Sequence, residues 1–318
     1  DPAVSEAAAI GYPIILKSTA GGGGIGMQIC HSEAELRGSF DKVKKLGSNN
    51  FADDSVFLEK FIARARHIEV QVFGDGEGQV VAIGERDCSA QRRNQKVVEE
   101  CPAPNLPDSV RQRLYSLSEK LLAAVNYRNA GTVEFIYDPD TEQFYFLEVN
   151  TRLQVEHGVT EAVWGVDLVK WMLMQASGDL PELDQLRSGL SAKGHAVQVR
   201  VYAEDPYKQF QPCAGLLSKV AFPVADGLRI DHWLDSGLEV SPYFDPMLAK
   251  VIFHGDNREA ALAGLRTALA DTELYGIVTN RDYLRALLND SVRISGQLTT
   301  RYLNDFSWQQ RRIDGERH

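Results

Sequence analysis

Polar and apolar residues alternate along much of the chain, most sharply from Phe144 to His157, FYFLEVNTRLQVEH. There Glu148, Asn150, Arg152, Gln154 and Glu156 recur at every second position, so an extended strand sets all five on one face. The run before it, Thr132 to Asp138, is joined to it by the turn-rich stretch Pro139 to Gln143, and the pair reads as a hairpin. A symmetric loop puts Glu134 opposite Glu148, and like charges in that position need a trapped proton or a cation between them. Glu134, Glu148 and Asn150 offer only oxygen ligands, too few to cage calcium but suited to magnesium that shares its shell with substrate phosphates. The competing reading is a sheet face whose charges simply meet water.

Elsewhere the pattern predicts a mixed chain. An Ala-rich stretch ending at Gly11 and Pro13 reads as the tail of a helix entered from upstream, in an internal piece of a longer polypeptide. YPIILKSTAGGGGIGMQIC then gives a strand ending in Lys17, a glycine loop from Gly21 to Gly26 and a second strand. Such a loop lets backbone N–H groups close on phosphate, but no helix follows at once and the P-loop spacing is missing, so a hairpin flap fits better. Ser32 and Glu35 form a capping box for the next helix, which closes a small βαβ-like lobe before the strand Val56 to Ile62. Further on, Asp75 to Gly78 is a hairpin turn, alternation groups His67, Glu69 and Gln71, and QRRNQK brings Arg92, Arg93 and Lys96 into a positive cluster. A helix from Pro107 and Asp108 carries Val110, Leu114, Leu117, Leu121 and Val125 as an apolar core stripe. Beyond the central hairpin come a helix through GVDLVKWMLMQASG, a polar connector from Pro181 to Lys193, and an antiparallel β-rich segment from His195 to about His254. A last helix has Ala261, Leu262, Leu265, Ala268 and Leu269 at helical spacing.

Composition narrows the class. With 318 residues the chain is long enough for two domains, and no apolar run reaches membrane-spanning length. The net charge of −10 argues against general affinity for nucleic acid or an anionic membrane, while leaving room for a local basic pocket. Cys30, Cys88, Cys101 and Cys213 are widely spaced without a metal-ligand pattern, which suits reduced thiols in a cytoplasmic protein.

In order and at fitting separations, the Lys17 flap, LEKFI, ERDCSAQRRNQK, EVNTRLQVEH, GHAVQVRVYAEDP and PYFDPMLAKVI resemble the biotin carboxylase family. The likeness runs from residue 1 to about residue 305, and KSTAGGGGIG and QRRNQK are most similar to its urea carboxylase branch. It implies an α+β chain: an ATP-grasp fold with a small α/β lid (1–62) and an antiparallel-sheet catalytic part (63–192), then a β-rich C-terminal domain (193–305) and a tail (306–318). It also implies that Lys17, Gly22, Gly23 and Gly24 hold ATP phosphates, and that Glu59, Lys60 and Ile62 meet adenine with His67 and Gln91 nearby. Glu134, Glu148 and Asn150 would bind Mg2+ or Mn2+. Lys96, Arg152, Gln154 and the backbone of Val155 would hold bicarbonate, Glu156 would be the general base, and Arg200 would stabilise the biotin oxyanion. The reaction implied is ATP-dependent carboxylation of carrier-bound biotin through carboxyphosphate, for transfer to urea. The implied partners are a biotinyl carrier domain and a carboxyltransferase domain in the same polypeptide, with self-association left open.

Two residues depart from the family's pattern. Asn94 stands where His is usual near the phosphates and cannot become cationic, and Gly158 replaces a Pro after Glu-His, which should loosen that loop. The family's N-terminal Rossmann-like domain precedes the matching region, so the chain alone is expected to turn over little or not at all. The alternatives are a guanidine, acyl-CoA or pyruvate carboxylase, another ATP-grasp carboxylate–amine ligase, or a nucleotide-binding module without catalysis.

Overall fold

A computed structural model describes residues 2–19, 26–51, 53–306 and 308, and falls into two compact units. The smaller comprises Asp1–Ala65 with Arg93–Gln95, and the larger Arg66–Arg92 with Lys96–His318.

In the smaller unit, helix α1 (Pro2–Ile10) stops at Gly11, whose φ of +80° is left-handed. Strands β1 (Ile14–Ser18), β2 (Met27–Cys30) and β3 (Val56–Lys60) form a sheet in the order β2-β1-β3, with both pairings antiparallel. β2 and β3 therefore run in the same direction on either side of β1, and helix α2 (Glu33–Phe51) makes them a split βαβ unit. Its capping box forms in part: Ser32 Oγ accepts from the Glu35 N–H at 3.3 Å, while the Glu35 carboxylate reaches one residue past the cap and accepts from the His31 N–H at 2.9 Å. Ala7, Ile14, Leu16, Cys30, Leu36 and Val43 make the core of this unit.

The larger unit is built on one eight-stranded sheet. Strands β4 (Arg66–Asp75), β5 (Val80–Arg92), β6 (Gln95–Cys101), β7 (Arg128–Asp138), β8 (Gln143–Asn150) and β9 (His195–Tyr202) supply six of its members. The order is Leu228–His232, Met247–Gly255, β9, β6, β5, β4, β7, β8, so it runs without a break past the boundary expected near residue 193. β4, β5 and β9 are almost wholly buried on both faces, which forces their polar side chains to find partners inside the protein. On β4 the odd positions His67, Glu69 and Gln71 form one such face, while Ile68, Val70 and Val72 pack on helix α3 (Asp108–Ala123).

Helix α3 departs from the stripe expected for it. Val110, Leu114, Ser118 and Leu122 face the core, whereas Leu117, Leu121 and Val125 are 45%, 42% and 67% exposed. The two sets differ by one position of the helical turn, and the small hydroxyl Ser118 fills the inner row where an apolar residue was sought. The polar connector likewise contains a short helix. After α4 (His157–Trp164) and α5 (Leu168–Ser177), residues Leu183–Gly189 form α6, anchored by Leu183, Leu186 and Leu190 in a cluster with Phe73 and Trp171. α7 (Arg258–Asp271) buries all five residues of its expected stripe against β9 and Met247–Gly255. The four cysteines are free thiols, and no helix among the described residues is long and apolar enough to cross a membrane.

The two rows of α3 give a direct check. Leu114→Ala should cost about 2–5 kcal/mol by urea unfolding, and Leu121→Gln should stay within about 0.5 kcal/mol. Equal costs would contradict the orientation of the helix.

Candidate active site

The polar faces of β4, β5, β6, β7 and β9 converge on a buried charge network. At its centre the Lys96 ammonium donates to Glu69 Oε2 at 2.6 Å, Glu156 Oε1 at 2.6 Å and Glu134 Oε1 at 3.0 Å. On β5, Arg86 donates to Glu69 Oε1 at 2.5 Å, to Gln71 and Thr160 at 2.8 and 2.9 Å, and to Thr132 and Gln154 at 3.3 Å. Gln154 in turn donates to Glu134 Oε1 at 2.8 Å. From β9, Arg200 donates through Nε to Glu99 Oε1 at 2.6 Å and through Nη2 to Glu156 Oε2 at 3.0 Å.

Burial alone would neutralise these carboxylates, and the cations decide otherwise. Burial raises Glu69, but Lys96 and Arg86 hold it well below the usual carboxylate range. Burial likewise opposes the charge on Glu134, and its contacts with His67 and Lys96 pull it down to about 2. The Lys96 ammonium is pushed up against its own desolvation, chiefly by Glu69 and further by Glu156 and Glu134. Glu99 moves the other way. Burial and the Glu156 charge raise it, with Arg200 countering only in part. His67 Nε2 lies 3.2 Å from Glu134 Oε2, and these contacts outweigh desolvation and raise the ring to about 9.

The central hairpin places Glu134 opposite Glu148, through a device the pattern does not show. Near the loop Asp138 pairs Gln143 and Phe135 pairs Phe146, a register that would carry Leu147 to Glu134. A bulge at Leu147 takes up one residue and restores the pair of carboxylates. Asn150 Nδ2 donates to Glu148 Oε1 at 3.2 Å. Asn150 Oδ1 in turn accepts from Arg152 Nη2 at 3.4 Å, so both ends of its amide already have protein partners. His67, Glu69 and Glu134 also set ligand atoms within 4.8 Å of one another, but Lys96 and Arg86 already compensate that group.

The five-residue polar row does not lie on one strand. β8 ends at Asn150, and Arg152, Gln154 and Glu156 follow on an irregular segment that leads into α4. Gln154 and Glu156 are buried in the network; Arg152 is exposed and contacts Asn150 Oδ1 at 3.4 Å and its neighbour's carbonyl. The Val155 carbonyl accepts from Lys250 Nζ at 3.1 Å. Nor do Arg92 and Lys96 form a positive cluster, because Arg92 turns to Glu204 and lies over the Phe210 ring while Lys96 enters the carboxylates. Arg93 and Asn94 both take positive φ, 50° and 64°, as a two-residue turn between β5 and β6 requires, and Asn is among the residues that tolerate it. Gln91 Nε2 meets His67 Nδ1 at 3.1 Å. In the smaller unit Lys17 pairs with Glu59, Lys60 Nζ donates to the Gly11 carbonyl at 2.7 Å, and Ile62 is half-buried just past β3. Gly22, Gly23 and Gly24 lie outside the described residues.

Residues 1–184 match the family model of the carbamoyl-phosphate synthase L chain, ATP binding domain, and residues 198–305 that of the biotin carboxylase C-terminal domain. The chain is 43% identical to a biotin carboxylase of Halalkalibacterium halodurans, over 96% of this chain and 67% of that one. The chain belongs to the biotin carboxylase family. It is also 48% identical to urea amidolyase of Saccharomyces cerevisiae over 99% of its own residues, and spans 17% of that protein's length. Among solved structures, it resembles the biotin carboxylase domain of Hydrogenobacter thermophilus 2-oxoglutarate carboxylase, in complex with MgADP, ADP and bicarbonate. There the TM-score is 0.86 at 40% identity, over 95% of this chain and 66% of that one.

Within this biotin carboxylase frame, Arg86, Glu99, Gln198 and Lys250 were not singled out from sequence. Each contacts its partner from a residue distant in the chain, so no local spacing marks it. Glu69 and Gln71 did carry a signal, as polar residues alternating in an otherwise apolar strand.

Gly158 does not loosen a loop, because it sits in the first turn of α4, buried against Met247–Gly255. A Cβ there would come within 2.5 Å of Ile252 Cδ1. Gly158→Ala must therefore displace the end of the Ile252 side chain, an overpacking cost set against the gain of about 1 kcal/mol for Ala over Gly in a helix. Its effect on stability, by denaturant titration, should be more favourable in an Ile252→Val background than in the wild type. A fully additive double mutant would mean that the two sites do not touch.

His67 lies above its ordinary value of 6.5, so its charged form contributes fully below pH 6.5 and that contribution fades as pH rises through about 9. The stability gap between the wild type and His67→Gln, measured by denaturant titration across this range, should narrow with rising pH. A gap constant from pH 6 to pH 9.5 would show that folding leaves the proton affinity of the ring unshifted.

Proposed function

We propose that the chain carries out the ATP- and bicarbonate-dependent carboxylation of carrier-borne biotin in a urea carboxylase. The observation that carries this reading is Glu156, a buried carboxylate held from one side by Lys96 and from the other by Arg200. That is a base set between two cationic donors, a setting that suits a small anion losing a proton. The choice of urea rests on the 48% identity to the yeast urea amidolyase.

In this reading Lys96, Gln154 and Arg152, with the Val155 backbone, bind bicarbonate. Glu156 takes the bicarbonate proton, and the O–H electron pair becomes available for the bond to the γ-phosphorus of ATP as ADP leaves. Magnesium, when bound, lowers the charge on the phosphates; Glu134, Glu148 and Asn150 are the residues that would hold it. Lys17 and the glycines Gly22 to Gly24 are proposed for the phosphates, and Glu59, Lys60, Ile62, His67 and Gln91 for the nucleoside. Carboxyphosphate then parts into CO2 and phosphate, the phosphate accepts the N–H proton of biotin, and the nitrogen lone pair bonds to the CO2 carbon. Arg200 donates to the ureido oxygen as it gains negative charge. A biotinyl carrier and a carboxyltransferase complete the proposed assembly.

The test uses the natural full-length protein. ADP formation should depend on bicarbonate, rise with free biotin, and support carboxylation of urea over guanidine or an acyl-CoA. Glu156→Gln should lower kcat by about 10²–10⁴-fold. ADP formation indifferent to bicarbonate would overturn the proposal, and bicarbonate dependence with guanidine preferred would overturn only the acceptor.

A further inference from the structure

Glu99 is a fully buried carboxylate that none of the proposed steps uses. It stands on β6 directly across from Gln198 on β9, whose Nε2 donates to Glu99 Oε2 at 3.1 Å. Its other oxygen takes the Nε–H of Arg200 at 2.6 Å, while Nη2 of the same guanidinium goes to Glu156 Oε2 at 3.0 Å. Arginine usually grips a single carboxylate with two parallel N–H bonds. Here one guanidinium, which also meets the Tyr202 hydroxyl, is divided between two carboxylates with different second partners: Glu156 also has Lys96, and Glu99 has the neutral Gln198.

We infer that Glu99 is a positioning residue that keeps Arg200 in place by its Nε–H, so that Nη2 can pass from Glu156 to the ureido oxyanion once Glu156 is protonated. The inference rests on the reaction proposed above. When Glu156 takes the bicarbonate proton, its bond to Nη2 changes from a charge-assisted to a neutral one, at roughly half the strength. The bond to Glu99 does not weaken. Loss of the Glu156 charge removes one of the causes that, after burial, raise Glu99's proton affinity. Arg200 thus stays anchored while the donor needed by the second half of the reaction comes free. Without the Glu99 charge, Arg200 is drawn wholly to Glu156 and is withheld from that second half.

The two half-reactions separate this role from a merely structural one. In the full-length protein, Glu99→Gln should leave bicarbonate-dependent ADP formation within about threefold of wild type and lower the carboxybiotin formed per ADP by about tenfold or more. Gln198→Met keeps the charge but removes Glu99's second partner, and should lower the same ratio by a smaller factor. Melting temperatures show whether each variant is folded. In a crystal structure of Glu99→Gln, Arg200 should place Nε and Nη2 together on the two Glu156 oxygens. A parallel fall of both rates in folded variants, an unchanged ratio, or an unmoved Arg200 would each overturn the inference. Failure of the underlying reading shows itself differently, as wild-type ADP formation that ignores bicarbonate.

Discussion

A lysine ammonium enclosed by three carboxylates is the constraint on which the larger unit depends. Lys96 ties its own strand to β4 through Glu69, to β7 through Glu134 and to the approach of α4 through Glu156. Removing such charges from water is costly, and the cost is offset only where every group is matched in charge and geometry. The match here needs residues from the sheet and from the segment after β8 at once, so the charges act as a gauge of correct assembly. It also explains why neighbouring carboxylates behave differently. Glu69 and Glu134 lie within reach of Lys96 and stay ionised, whereas Glu99 gains proton affinity from its burial, with the nearby Glu156 charge adding to it.

Much of this arrangement was legible in the sequence where a regular element carries it. Alternation marked the polar face of β4, the stripe on α7 was right at all five positions, and the hairpin brought Glu134 and Glu148 together. Sequence reading failed where regularity stops. The row from Glu148 to Glu156 keeps its spacing of two after the strand has ended, since a periodic pattern does not reveal where the backbone leaves the extended conformation. On α3, Val110 and Leu114 face the core as expected, but Ser118 occupies the next core position and Leu117, Leu121 and Val125 sit outside, so hydrophobicity alone left the inner row after Leu114. Arg86 was invisible for another reason. Its partners come from β4, β7, α4 and the segment before α4, and only the folded sheet gathers them.

Gly158 shows how a family departure can mislead when it is read locally. Its place in the chain suggests flexibility, but its place in the fold is a contact surface, where the missing side chain is the space taken by Ile252. The residue is better understood as half of a packing pair than as a hinge.

The bulge at Leu147 divides the central hairpin into two stretches with separate registers. On the loop side, the pairing from Asp138 to Phe135 is set by the turn; on the other side, Glu134, Val133 and Thr132 keep their own partners. A strand ordinarily transmits a one-residue slip to every position and turns each side chain to the opposite face. Here that transmission is interrupted between Phe135 and Glu134. The tip of the hairpin can therefore vary in length and composition over evolutionary time, while the carboxylates at its base keep their alignment.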